Sequence, residues 1–97
     1  MQLRQLYERF LHLPASPAGV KYETALQLWE RHTHNPLAAD LTAASIEAFR
    51  MSCAGAGMVE PGFNGCWRYL LSILRTASDN GIVIPYIRTQ DGAVRET

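Results

Sequence analysis

The sequence predicts an all-α fold, a compact bundle of about four helices in one domain. Three observations predict it. Apolar residues recur at helical spacing in four segments. Each segment is bracketed by a cap residue, a proline or a glycine. Strand signals are nearly absent, the one β-branched run being Ile82-Val83-Ile84, closed by Pro85. At 97 residues and 47% hydrophobic, the chain is long enough to bury one core without disulfides or metals.

The first helix is expected over Gln2 to His12, where Leu3, Leu6, Tyr7, Phe10 and Leu11 fall at helical spacing. Pro14 and Pro17 stop it. The second opens at Ser16-Pro17, a cap residue followed by proline at the first helical position. Its apolar positions are Val20, Leu26, Leu28 and Trp29, with Tyr22 and Ala25 alongside, and it runs to His34, ahead of Asn35-Pro36. The third begins after Thr42, with Ile46, Phe49, Cys53 and Ala56 as its stripe and Gly55 and Gly57 at its end. The fourth begins near Pro61 and stops at Asn80-Gly81. Past Pro85 the chain reads as a polar tail with no core of its own.

Nine Lys+Arg balance nine Asp+Glu, so net charge gives no argument for nucleic acid, and position must carry any electrostatic case. Eight of the nine basic residues are arginine, which suits planar phosphate or carboxylate recognition but is also what a GC-rich genome encodes. Residues 61–90 and residues 1–22 each hold a surplus of two positive charges, while residues 40–60 hold a deficit of two. No 18-residue apolar run and no apolar leader are visible. Two cysteines make no disulfide scaffold, and the expected setting is the reducing cytoplasm.

The fourth helix is the informative one. At about 100° per residue, Phe63, Trp67, Leu70, Leu71, Leu74 and Ala77 share an arc of roughly 120°, the expected buried face. Asn64, Arg68, Ser72, Arg75 and Asp79 share an adjacent arc of roughly 80°. Arg68 and Arg75 differ by about 20° in direction and about 10 Å along the axis. A row of Asn, Arg, Ser and Arg can donate hydrogen bonds to phosphates and base edges. The plainer reading, the solvated face of an ordinary bundle helix, stays open on the sequence alone.

Other constellations are weak. His32 and His34 with Cys53 and Cys66 match no common zinc spacing, and free cysteines usually behave as small hydrophobes. No elbow motif, oriented Cys–His pair or phosphate-binding glycine loop is present. No metal, cofactor or catalytic residue is expected. Trp29 and Trp67 sit in register with their apolar stripes and are expected in the core.

The order of these segments resembles a known family. Tyr22, Leu26 and Trp29 on one helix are followed by Leu41-Thr42-Ala43-Ala44-Ser45-Ile46-Glu47-Ala48-Phe49. Then comes Asn64-Gly65-Cys66-Trp67-Arg68-Tyr69-Leu70-Leu71-Ser72-Ile73-Leu74-Arg75-Thr76-Ala77, closing with Asn80-Gly81-Ile82-Val83-Ile84-Pro85. Over residues 17–86 this resembles the N-terminal, SAM-like core-binding domain of tyrosine recombinases, the phage integrase family. The chain departs from the family pattern in ending on Ile84-Pro85 where Asn-Pro is common, and in a glycine-rich loop over 54–61.

The resemblance implies a DNA clamp. Residues 14–86 would be the core-binding domain, residues 1–13 an N-terminal helix or arm, and residues 87–97 a linker toward a catalytic domain beyond residue 97. That domain would supply the nucleophilic tyrosine and the arginine-rich site. Tyr7, Tyr22, Tyr69 and Tyr86 do not stand in the nucleophile's context, so the chain itself is expected to be no enzyme. The family's DNA-facing helix maps onto Asn64, Arg68, Ser72 and Arg75, with Lys21 as a second contact. Duplex DNA and neighbouring recombinase protomers are the implied partners, and a bacterial or phage-encoded protein of the cytoplasm is the implied source. The alternative is a SAM-like helical protein–protein module without DNA binding, which predicts an exposed apolar patch.

Overall fold

A computed structural model describes residues 1–11 and 16–87. The described residues are helical throughout their regular elements, with no strand among them. The first helix, α1 (Leu3–Leu6), widens into a π-helical turn over Tyr7–Leu11. Three longer helices follow: α2 (Pro17–His32), α3 (Ala43–Gly55) and α4 (Glu60–Asp79), with a short 3-10 turn at Ala38–Asp40 between α2 and α3. His12 and Pro14 lie outside the described residues.

The helix ends follow from local chemistry. Ser16 Oγ accepts from the Gly19 amide at 3.1 Å, and Thr42 Oγ1 accepts from the Ser45 amide at 3.1 Å, so α2 and α3 each have a side-chain N-cap. Helices α3 and α4 end alike. Gly57 and Gly81 take φ of 95° and 93°, which residues with a Cβ rarely adopt. The Met58 amide then reaches Cys53 O and the Gly57 amide Ala54 O; Ile82 reaches Ala77 O and Gly81 reaches Ser78 O. These paired bonds are the Schellman arrangement, which satisfies carbonyls left over at a helix end. Gly55, by contrast, is the last residue of α3 itself.

Helix α4 is the centre of the bundle, in contact with α1, its π-turn, α2 and α3. Its buried residues are Phe63, Leu70, Ile73, Leu74 and Ala77. Ile73 lies outside the arc expected from a one-sided wheel, because α4 is packed on more than one side. Trp67 and Leu71 are only half-buried. Two aromatic ladders join the layers. Tyr7, Tyr22 and Tyr69 link the first turn, α2 and α4 with ring centroids 5.3 and 4.9 Å apart. Trp29, Phe49 and Phe63 link α2, α3 and α4 at 5.0 and 5.3 Å.

Three expectations need correction. Val20 is 62% exposed, because it projects away from the arc of Ala25, Leu26 and Trp29 that meets the core. Ala56 is exposed at the C-cap of α3, leaving Phe49 and Cys53 as that helix's buried residues. The core also continues past Pro85: beyond buried Ile84, Ile87 is buried too and Tyr86 packs against the core. Helical geometry resumes at 85–87, and the tail expected over 88–97, with Arg88, lies outside the described residues.

Leu3 and Leu6 are fully buried, so α1 covers the bundle. Arg4 fastens it. Its Nε and Nη2 donate to Glu30 at 2.8 and 2.9 Å, and its Nη1 donates to Glu23 at 2.8 Å. The chain start is held from the other side, where the Ala38 amide donates to Met1 O at 2.8 Å. No described helix is long and apolar enough to cross a membrane.

Candidate functional site

With α4 enclosed on several sides, its exposed surface is narrow. Asn64, Arg68, Arg75 and Asp79 are exposed, and at about 100° per residue they fall within roughly 60° of one another. They form a single line along about four turns of the longest helix in the bundle. A rigid helix interior holds the two guanidinium groups at fixed separation, which a loop would not do.

Neither Arg68 nor Arg75 makes an ion pair with an acid among the described residues, and Asp79 makes none either. The other arginines differ. Arg4 is shared between Glu23 and Glu30, and Arg50 bridges Glu47 and Glu60. Pairing therefore redraws the charge map expected from sequence. The surplus of residues 1–22 is offset by two glutamates of α2, and two of the three acids in residues 40–60 converge on Arg50. The Arg50 guanidinium holds the Glu47 carboxyl below the usual carboxylate range, and Arg4 does the same for Glu23. The cations left without a carboxylate partner among the described residues are Arg9, Lys21, Arg31, Arg68 and Arg75. Arg9 lies over the Phe10 ring, 5.5 Å from its centroid.

The residues expected to act together are only partly brought together. Asn64, Arg68 and Arg75 share the exposed stripe. Lys21 is exposed on α2, next in sequence to Tyr22, which packs against α4. Ser72 departs from the expectation. It is half-buried at the edge of the stripe, and its Oγ lies 2.9 Å from the Tyr22 hydroxyl, in a hydrogen bond that joins α2 to α4. Its place on the polar arc reflects a helix–helix seam and not an outward-facing donor. Arg31 does not stand out in the sequence, although on an α2 wheel it falls on the same exposed side as Lys21 and Thr24.

The stripe can do one thing well. Two guanidinium forks and a carboxamide, all solvated and in line, can donate to successive oxygens of a polyanion. It has no nucleophile–base pair, and no group of three or more His, Cys, Asp or Glu residues gathers among the described residues. Cys53 and Cys66 are both thiols without a disulfide. Burial pushes the Cys66 thiol up to about 11, with Cys53 nearby adding to the shift. No family model, no curated protein and no solved structure matches this chain.

Proposed function

We propose that this chain binds duplex DNA as the core-binding half of a tyrosine recombinase clamp, acting in DNA integration or recombination together with a catalytic domain that the described residues do not contain. One observation carries the reading: Arg68 and Arg75 stand in line on the central helix, exposed, with no carboxylate partner among the described residues, whereas Arg4 of α1 and Arg50 of α3 are paired and the other unpaired arginines, Arg9 and Arg31, stand on separate elements. Asn64 extends the row, and Lys21 adds a cation on the adjoining helix. A clamp must hold many sequences while fixing geometry, which phosphate contacts do, with base contacts adding modest preference. The proposed partners are duplex DNA and further protomers assembled on it.

The test is fluorescence anisotropy of a labelled duplex of about 30 base pairs at two salt concentrations, with an Arg68→Ala/Arg75→Ala variant alongside. Two to four neutralised phosphates give a log–log salt slope of about −2 to −4, and Kd no tighter than about 10⁻⁶ M. Binding by the variant equal to that of the parent refutes the assignment of this face.

A second reading, the helical protein–protein module, draws on Met51 and Val59, which are 66% and 70% exposed on α3 and at the start of α4. It requires saturable self-association, and a strictly monomeric species in sedimentation at high concentration counts against homotypic contact.

A further inference from the structure

The central helix carries one Asn-Gly pair inside it, Asn64-Gly65, and a second at its end, Asn80-Gly81. An asparagine followed by glycine is prone to close on itself. With no Cβ on the glycine, its backbone nitrogen can approach the asparagine carboxamide unhindered. The fold treats the two pairs differently.

Asn64 and Gly65 have helical backbone, between buried Phe63 and half-buried Cys66 and Trp67. Freeing the Gly65 nitrogen means unwinding α4 where the Phe63 ring packs 5.3 Å from that of Phe49 on α3. Asn80 and Gly81 are both exposed, beyond the last residue of α4. Gly81 stands at φ 93°, and an added Cβ there would meet no atom within 4 Å. The pair is held by the bonds of an exposed helix end. Asn80 Nδ2 donates to Thr76 O at 2.8 Å, the Gly81 amide to Ser78 O at 3.1 Å and the Ile82 amide to Ala77 O at 3.1 Å. Ring closure requires only that this last turn open, and a helix end opens at a lower free energy than a packed interior.

We infer that Asn80 is a site of spontaneous covalent modification, deamidation through a cyclic imide, and that the same fold spares Asn64. When the last turn opens, the Gly81 backbone nitrogen attacks Asn80 Cγ. The N–Cγ bond forms, the Cγ–Nδ2 bond breaks, and Nδ2 leaves as ammonia with the Gly81 amide proton. Water then opens the five-membered imide at either carbonyl, giving aspartate or isoaspartate, and no atom is oxidised or reduced. Either product removes the donor to Thr76 O. Either also places a carboxylate at the C-terminal end of α4, beside exposed Asp79, where the helix dipole disfavours it. Isoaspartate further adds a backbone methylene ahead of the turn that leads to buried Ile84 and Ile87. The modification thus weakens the closure of α4 as the protein ages.

The experiment incubates the whole chain in warm, mildly alkaline buffer, native and in urea. Peptide mapping by mass spectrometry follows the amide-to-acid mass gain at each asparagine. In urea the two pairs convert at rates within about threefold of each other, because the unfolded chain no longer distinguishes them. In the native protein Asn80 converts at least about tenfold faster than Asn64. Asn80→Gln, which would need a slower six-membered ring, abolishes the native conversion and leaves that of Asn64 in urea unchanged. Asn80→Asp, one of the two products, lowers Tm by about 4 °C. Native conversion of Asn64 as fast as that of Asn80 overturns the inference. So does a native Asn80 that stays intact while the urea sample converts fully. An Asn80→Asp protein as stable as the parent overturns the effect on the helix end. None of these readouts involves DNA, so the outcome is independent of the clamp reading.

Discussion

The hydroxyls of Tyr22 and Ser72 meet at 2.9 Å across the α2–α4 seam, beside the exposed arginine stripe. That hydrogen bond turns a residue with the position of a surface donor into a structural one. A part-buried hydrogen bond of this kind contributes about 0.5–1.5 kcal/mol. Ser72→Ala and Tyr22→Phe should each lower stability by about 1 kcal/mol in urea unfolding, and the double variant should cost little more than either single one. Duplex affinity of Ser72→Ala should stay within about twofold of the parent. A Ser72→Ala protein with unchanged stability but abolished affinity would restore the serine to the binding face.

Arg68 and Arg75 should show the opposite pattern. Both are exposed and bound to no acid among the described residues, so their removal should leave stability within about 0.5 kcal/mol. Duplex affinity should fall, and the log–log salt slope should shrink by about 0.9 for each phosphate that is no longer neutralised. Anisotropy at several salt concentrations reads both quantities. A weaker binder with an unaltered slope would mean that the arginines act through something other than phosphate.

The parts of this fold legible in the sequence are those decided locally. Ser16 and Thr42 cap helices with their own side chains, and Gly57 and Gly81 take the left-handed conformation that ends one. Four helices and the buried leucines of α4 follow from such signals and from spacing. What was not legible depends on neighbours. A one-sided wheel leaves out Ile73 because it cannot know that α4 is packed against α1, its π-turn, α2 and α3. It counts Ser72 as outward because Tyr22 is fifty residues away in sequence. It counts Arg4 as an available cation because Glu23 and Glu30 reach it only after α1 docks. The arginine stripe was visible as a direction on a helix; that its two cations have no carboxylate partner among the described residues could be seen only in three dimensions.

Arg4 holds Glu23 and Glu30 at once, and this pairing makes stability pH-dependent. The Arg4 guanidinium lowers the Glu23 carboxyl from its ordinary 4.5. The folded state thus keeps the carboxylate ionised where the unfolded chain has begun to take up a proton. The contribution is fully present above pH 4.5 and is lost as pH falls through the lower folded value. Solvent screening keeps it below about 1 kcal/mol. Arg4→Ala should cost about 1–2 kcal/mol at neutral pH and flatten the acid limb of the stability curve. Urea midpoints measured from neutral pH to below 4.5 check both, and an acid limb of undiminished slope in the variant would assign it to other carboxylates.

The two tryptophans should part company. Trp29 is fully buried against Phe49, whereas Trp67 is half-buried with its ring 6.2 Å from that of Tyr86. Trp29→Ala should cost about 3–5 kcal/mol, a large share of what a domain this size possesses. Trp67→Ala should cost about 1–3 kcal/mol and leave a folded protein by circular dichroism. The expectation that both tryptophans lie in the core holds for Trp29 and gives way for Trp67, whose packing is shared with solvent. An unfolded Trp67→Ala protein would show that the Tyr86 segment depends on this ring more than its exposure suggests.

Thiol chemistry gives the most direct probe of the core. Cys53 is buried, and Cys66 is half-buried with a thiol pushed up to about 11, chiefly by burial and secondarily by Cys53. Only the thiolate attacks a disulfide reagent. At pH 8 about one Cys66 in a thousand is ionised, against about one in ten for a thiol of ordinary value 9.0. Cys66 should therefore react with an aromatic disulfide about a hundredfold more slowly in the native protein than in urea, its native rate should still rise with pH beyond 9, and Cys53, whose thiol burial also raises, should be slowed as well. Because buried Cys53 sits on α3 and Cys66 on α4, close enough for Cys53 to push the Cys66 thiol up, the slow phase reports on the seam between these helices. One thiol reacting at the unfolded rate under native conditions would mean that this seam opens freely, and the packing of α3 through Phe49 and Cys53 would have to be revised.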